Sequence, residues 1–123
     1  MIFRDDEHEK AFYSLFQRMN TSERDVYRLA LAYLLTLDTV CSEHIGQLYD
    51  FEERCIDHTA LEQPWQTGTS FKTTRLAFNL FTGSTGWCPE EDIRCCSVAD
   101  IFCCEYAPYY WEAIKLRYPE YTE

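Results

Sequence analysis

Positive charge is what this sequence is short of. Eleven lysines and arginines face 21 aspartates and glutamates, a formal net charge of −10. A field of that sign repels nucleic acid and anionic lipid, since neither releases counterions to a protein of like charge. Direct nucleic-acid binding is therefore not expected. The basic residues are also scattered, Lys115 with Arg117 being the only small concentration. Long hydrophobic runs are missing too, and no apolar stretch approaches the roughly 20 residues that span a bilayer. Behind Arg4, where a secretory leader would carry its apolar region, stand Asp5, Asp6 and Glu7. The expectation is a cytoplasmic protein with no membrane partner. Thiols stay reduced in that compartment, so the seven cysteines are not read as a disulfide framework.

Period-two alternation between hairpin turns is absent, and so are internal repeats and low-complexity tracts. Disorder is not indicated either. With 46% hydrophobic and 16% aromatic residues, 123 residues can enclose the core of one domain.

What is present is helical spacing. Phe12, Leu15, Phe16 and Met19 form one stripe over about residues 5–19, with acids crowding the first turn where the helix dipole favours them. Ser22-Glu23-Arg24-Asp25 has the pattern of a capping box, a serine with an acid three residues on. The helix it predicts is apolar most of the way round. Val26, Leu29, Ala30, Tyr33, Leu34 and Leu37 make one face, and Tyr27, Leu31 and Leu35 widen it, which is the mark of a central helix. A third helix is expected over about residues 41–50, then an irregular stretch to Gly68, then a helix over residues 71–81 that Gly83 would stop. Ser97 would cap a short helix, Pro108 suits the first turn of a last one, and Pro119 ends it. The fold class expected is all-α, a single domain over residues 1–123, with five or six short helices packed around residues 26–37.

Motifs that would name a reaction are absent. Cys88, Cys95, Cys96, Cys103 and Cys104, with His58, have the residue types of a zinc site but not its spacing. Structural zinc sites use pairs two to four residues apart, whereas adjacent cysteines on a helix diverge by about 100°. These thiols read as small buried hydrophobes. Nothing local sets His8, His44 or His58 beside a cysteine, and His8 and His44 read as partly buried surface histidines. No calcium loop and no phosphate loop occurs. No metal, cofactor or catalytic residue is expected.

The excess acid is clustered. Asp38, Glu43, Asp50, Glu52, Glu53, Asp57 and Glu62 fall within one stretch opposed only by Arg54. Glu90, Glu91 and Asp92 form a second cluster, and Asp5, Asp6, Glu7 and Glu9 a third.

Several segments look familiar. They are Phe3-Arg4-Asp5-Asp6-Glu7-His8, Leu48-Tyr49-Asp50-Phe51, Trp65-Gln66-Thr67, Thr74–Leu80, and the long block Tyr106–Tyr121. Together they resemble a family of short uncharacterised proteins from Gram-positive gut bacteria, a domain of unknown function common on conjugative elements and prophages. The resemblance carries no assigned chemistry, but it implies a setting. Small acidic proteins of mobile elements are often inhibitors of host defence, anti-CRISPR proteins among them. Residues 88–104 depart from the family pattern.

Charge and setting together lead to a non-enzymatic inhibitor that binds a basic surface of a protein partner, a nucleic-acid-binding defence nuclease. Asp50, Glu52, Glu53, Asp57, Glu62, Glu90, Glu91 and Asp92 would stand in for backbone phosphates. Carboxylates offer Arg and Lys the same charge-assisted acceptor geometry. Tyr49, Trp65, Trp87 and Tyr109 would be apolar anchors if exposed. The alternatives are a small self-associating module, a homodimer in which acidity serves solubility, and a nucleotide-binding anti-defence protein using Arg75 or Arg117.

Overall fold

The structure, a computed structural model, describes residues 1–82 and 98–121. Among these residues it is mostly helical. In chain order come α1 (Asp6–Arg18), α2 (Val26–Leu37), α3 (Thr39–Ser42) and α4 (Ile45–Leu48). Two short strands follow, β1 (Tyr49–Asp50) and β2 (Cys55–Ile56), then a 3-10 turn (His58–Glu62). The order ends with α5 (Gly68–Thr82), α6 (Val98–Phe102), α7 (Ala107–Arg117) and a closing 3-10 turn (Pro119–Tyr121).

The central helix is where periodicity puts it. Every residue of α2 from Ala30 to Leu37 is buried, because α1, α5 and α7 pack around it. Phe12, Leu15 and Met19 are the apolar stripe of α1, Leu76, Phe78 and Leu80 come from α5, and Tyr110 and Ala113 from α7. Each fully buried large side chain contributes about 1.5–3 kcal/mol, so α2 is the main organiser of the core.

Its start differs from the expectation. Ser22 accepts from the Arg24 and Asp25 amides in a turn ahead of the helix, and Asp25 is the N-cap. The Asp25 carboxylate accepts from the Arg28 amide at 3.1 Å and the Thr21 hydroxyl at 2.7 Å, and pairs with the Arg28 guanidinium at 3.0 Å. An acid at the cap gains from the helix dipole and a cation one turn on, which a serine does not.

The third helix is broken. Asp38 caps α3 through the Val40 and Cys41 amides, and His44 adopts a non-helical backbone with Nδ1 bonded to the Val40 carbonyl. The chain restarts as α4 and then turns extended, pairing Tyr49 with Ile56 and Asp50 with Cys55 in an antiparallel hairpin. This pair of strands is the one departure from an all-α plan among the described residues.

The start of α5 is earlier than expected because Thr67 and Ser70 cap it reciprocally, amide to hydroxyl in both directions. Pro108 sits in the first turn of α7, and the helix ends at Tyr118 before Pro119. Gly83 and Ser97 lie outside the described residues.

Candidate functional site

The acidic stretch is carried by the hairpin. Its inward side is apolar: Tyr49 and Ile56 are buried, and Phe51, under the Arg18 guanidinium at 4.4 Å, is half-buried. Its turn is acidic. Asp50 Oδ1 accepts the amides of Glu52 and Glu53 at 2.9 and 3.0 Å, and the Arg54 amide closes the loop on the Asp50 carbonyl at 2.7 Å. Arg54 takes a left-handed backbone, φ 59°, uncommon for a non-glycine residue. Its guanidinium accounts for that conformation by donating to the Met19 and Asn20 carbonyls at the end of α1. Asp57 Oδ1 caps the following 3-10 turn through the amide and hydroxyl of Thr59.

The five phosphate-mimic candidates among the described residues, Asp50, Glu52, Glu53, Asp57 and Glu62, are all exposed and divide in two. Asp50 and Asp57 hold local backbone. The side-chain carboxylates of Glu52, Glu53 and Glu62 form no hydrogen bond or ion pair among the described residues. Glu90, Glu91, Asp92 and Trp87 lie outside the described residues.

The aromatic expectations separate in the same way. Tyr49 is 1% exposed, and its hydroxyl accepts from Arg28 Nε at 3.0 Å. It is a core residue and is withdrawn as a surface anchor. Period-based reading missed this because the residue sits at the change from helix to strand. Trp65 remains partly exposed. Its indole N–H donates to Gln47 at 2.8 Å and its ring stacks on His44 at 4.1 Å, 6° from parallel. Tyr109 is half-buried. Exposed aromatics that sequence reasoning passed over are Tyr13, Trp111 and Tyr121, and Tyr27, expected to widen the apolar face of α2, is exposed as well. For Trp111 the sequence carried little signal: apolar residues occur all round α7, and only the structure shows that Tyr110 and Ala113 mark its inward face, with Trp111 off it.

The decisive electrostatic feature is the use of cations. Arg4 donates to the Leu37 carbonyl that ends α2, Arg54 to the end of α1, Arg117 to the Leu80 carbonyl of α5 at 2.7 Å, and Lys72 to the Cys103 carbonyl at 2.8 Å. Carbonyls at a helix C-terminus lack partners within the helix and carry its partial negative charge, so cations satisfy them well. Arg117 is also sandwiched between Tyr27 at 3.8 Å and Tyr118 at 4.3 Å. Arg75 is buried at 2% exposure. Two ion pairs form among the described residues, Arg4–Asp5 and Arg28–Asp25. Among the described residues much of the positive charge is turned to backbone carbonyls, and the Glu52, Glu53 and Glu62 carboxylates are exposed.

Other chemistries gain little. Among the described residues no group of three His, Cys, Asp or Glu side chains could hold a metal ion, while Cys88, Cys95 and Cys96 lie outside them. Cys41 is buried, and burial pushes its thiol up to about 12. His8 is fully buried at 1% exposure, where a partly exposed residue was expected, and His58 sits edge-on to Phe78. A cleft of about 480 Å3 at the start of α5 is lined by Glu62, Gln63, Phe71 and Lys72 among others, and one of about 210 Å3 lies beside His8. Neither Arg75 nor Arg117 lines these two clefts. No helix among the described residues is long and apolar enough to cross a membrane.

The whole chain, residues 1–123, matches the model of a family of unknown function, DUF6075, and the protein belongs to that family. No curated protein and no solved structure matches it.

Proposed function

We propose that this member of the DUF6075 family is a non-enzymatic binding protein whose acidic hairpin and following turn engage a basic, phosphate-binding surface of a protein partner. The partner class in this reading is a nucleic-acid-binding nuclease of host defence, and the protein is its inhibitor. One observation carries the proposal. The described cations are largely turned to backbone carbonyls and ring faces, and the carboxylates of Glu52, Glu53 and Glu62 have no partner among the described residues. Carboxylates so displayed can accept bidentate hydrogen bonds from Arg, as phosphates do. Their charge would mainly raise the association rate, and the partly exposed Trp65 would add apolar contact.

The test is a pull-down with tagged protein from lysate of a bacterium with active defence nucleases, at low and high salt. The comparison is the Glu52→Gln, Glu53→Gln, Glu62→Gln triple variant, which removes charge and leaves the Asp50 and Asp57 turns intact. The expected result is a nuclease retained at low salt, lost at high salt and depleted at least about tenfold by the variant. A lane holding only the bait would remove this reading. It would favour self-association, for which the exposed Trp111, Tyr13 and Tyr121 speak. Light scattering across a concentration series would then show a dimer.

A further inference from the structure

The first five residues form a strap, and a buried histidine holds it. The Ile2 carbonyl accepts from the Tyr33 hydroxyl at 2.6 Å, and its amide reaches Glu112 at 3.4 Å. Phe3 lies over His8, Phe12 and Tyr33 with centroids 5.2, 5.5 and 5.8 Å away. Arg4 then crosses to the end of α2, donating to Leu37 O, and its guanidinium also approaches Tyr106.

Between the strap and α2 stands the His8 ring, with both nitrogens engaged. Nδ1 faces the Arg4 amide at 3.1 Å, and Nε2 faces the Tyr33 carbonyl at 2.9 Å. An amide only donates and a carbonyl only accepts, so Nδ1 must be bare and Nε2 must carry the proton. The closed strap therefore requires neutral His8.

We infer that residues 1–5 are an acid-released strap, held closed by neutral His8 and freed when that ring takes a proton. A proton on Nδ1 sets two donors against each other at the Arg4 amide and adds positive charge beside the Arg4 guanidinium. The groups facing this junction are Arg4 and Asp5 of the strap, Glu7 on α1, Tyr33 on α2, Asp38 and Glu43 at either end of α3, and Tyr106 ahead of α7. Asp5 is already bonded to the His8 amide and to Arg4, and Asp38 to the α3 amides. Glu7 and Glu43 line the 210 Å3 cavity together with His8 and Arg4. Release strips Phe3 from Phe12 and Tyr33, two rings that are 1% and 0% exposed in the closed form, and uncovers an aromatic surface.

Burial, seconded by Arg4, holds His8 below its ordinary value of 6.5 against the opposing Tyr33 and Asp5 contacts. The strap is thus fully closed above that value and opens as pH falls from there toward the lowered one.

The experiment follows the intact protein by NMR from about pH 8 to about pH 4.5. It reads the His8 ring directly and the amide exchange of residues 2–4, corrected for its intrinsic pH dependence. Expected is at least a tenfold loss of protection whose midpoint is that of His8, with no such step in His8→Gln. Protection that persists through the His8 titration, or a step of equal size and midpoint in the variant, overturns the inference. Should His8→Gln not fold, the wild-type comparison decides: coincident midpoints support the strap, separate ones refute it.

Discussion

Cys41 and Cys55 illustrate how far burial divides residues of one type. Cys41 lies on the inner side of α3 with its sulfur against Thr74 Oγ1 at 3.4 Å, and its thiol stays protonated at pH 8. Cys55 and Cys103 are exposed. Alkylation of the native protein at pH 8, mapped by mass spectrometry, is expected to modify Cys55 and Cys103 and leave Cys41 intact until denaturant is added. Equal labelling of Cys41 would contradict its placement. Arg28 is a second residue whose role the sequence concealed. It joins Asp25, the Tyr49 hydroxyl, the Arg54 carbonyl and the Phe81 ring. Arg28→Ala strands several of these groups at once and should cost about 1–3 kcal/mol in urea denaturation. Nothing in residue type separates Arg28 from the exposed Arg24; only the fold does.

Helix boundaries test the local rules. A capping box at Ser22 and a cap at Asp25 are distinguishable. Asp25→Ala should cost about 1–2 kcal/mol, and Ser22→Ala only a few tenths, by chemical denaturation followed by circular dichroism. The reverse order would restore the capping-box reading. Acid should act through the same caps. Asp5 is held below the usual carboxylate range by the His8 amide and Arg4. Asp25 is held low as well: burial opposes this, but bonds from Thr21 and Arg28 outweigh it. Both therefore lend stability that is present above the ordinary carboxylate pKa and lost as pH falls through their lowered values, and Asp25→Asn should flatten part of that acid slope. Inside α2, Leu34→Ala opens a cavity on a helix sealed on every side and should cost about 2–5 kcal/mol. The long helices were legible because burial of one face imprints a 3.6-residue period, as in α1, and burial of all faces gives an apolar run too long for a strand, as in α2. The hairpin was not, since two residues per strand are too few to show alternation.

For the whole molecule, a net charge of −10 means net self-repulsion in the folded state. Sodium chloride up to about 0.15 M should raise the melting temperature by screening it, and the Glu52, Glu53, Glu62 triple glutamine variant should melt no lower than the parent. A falling melting temperature on either change would mean these acids stabilise the fold. The sequence by itself determined the helical class, the central place of residues 26–37, the last helix between Pro108 and Pro119, and the acidic character of residues 38–62. Those follow from composition and from spacing within one or two turns. Tertiary structure alone decided that Tyr49 is core, that His8 is sealed beneath the strap, and that Arg4, Arg54, Lys72 and Arg117 donate to distant backbone carbonyls. Arg117 and Leu80 lie 37 residues apart, and Arg4 and Leu37 lie 33 apart. Contacts of that range depend on how elements pack, and no local pattern records them.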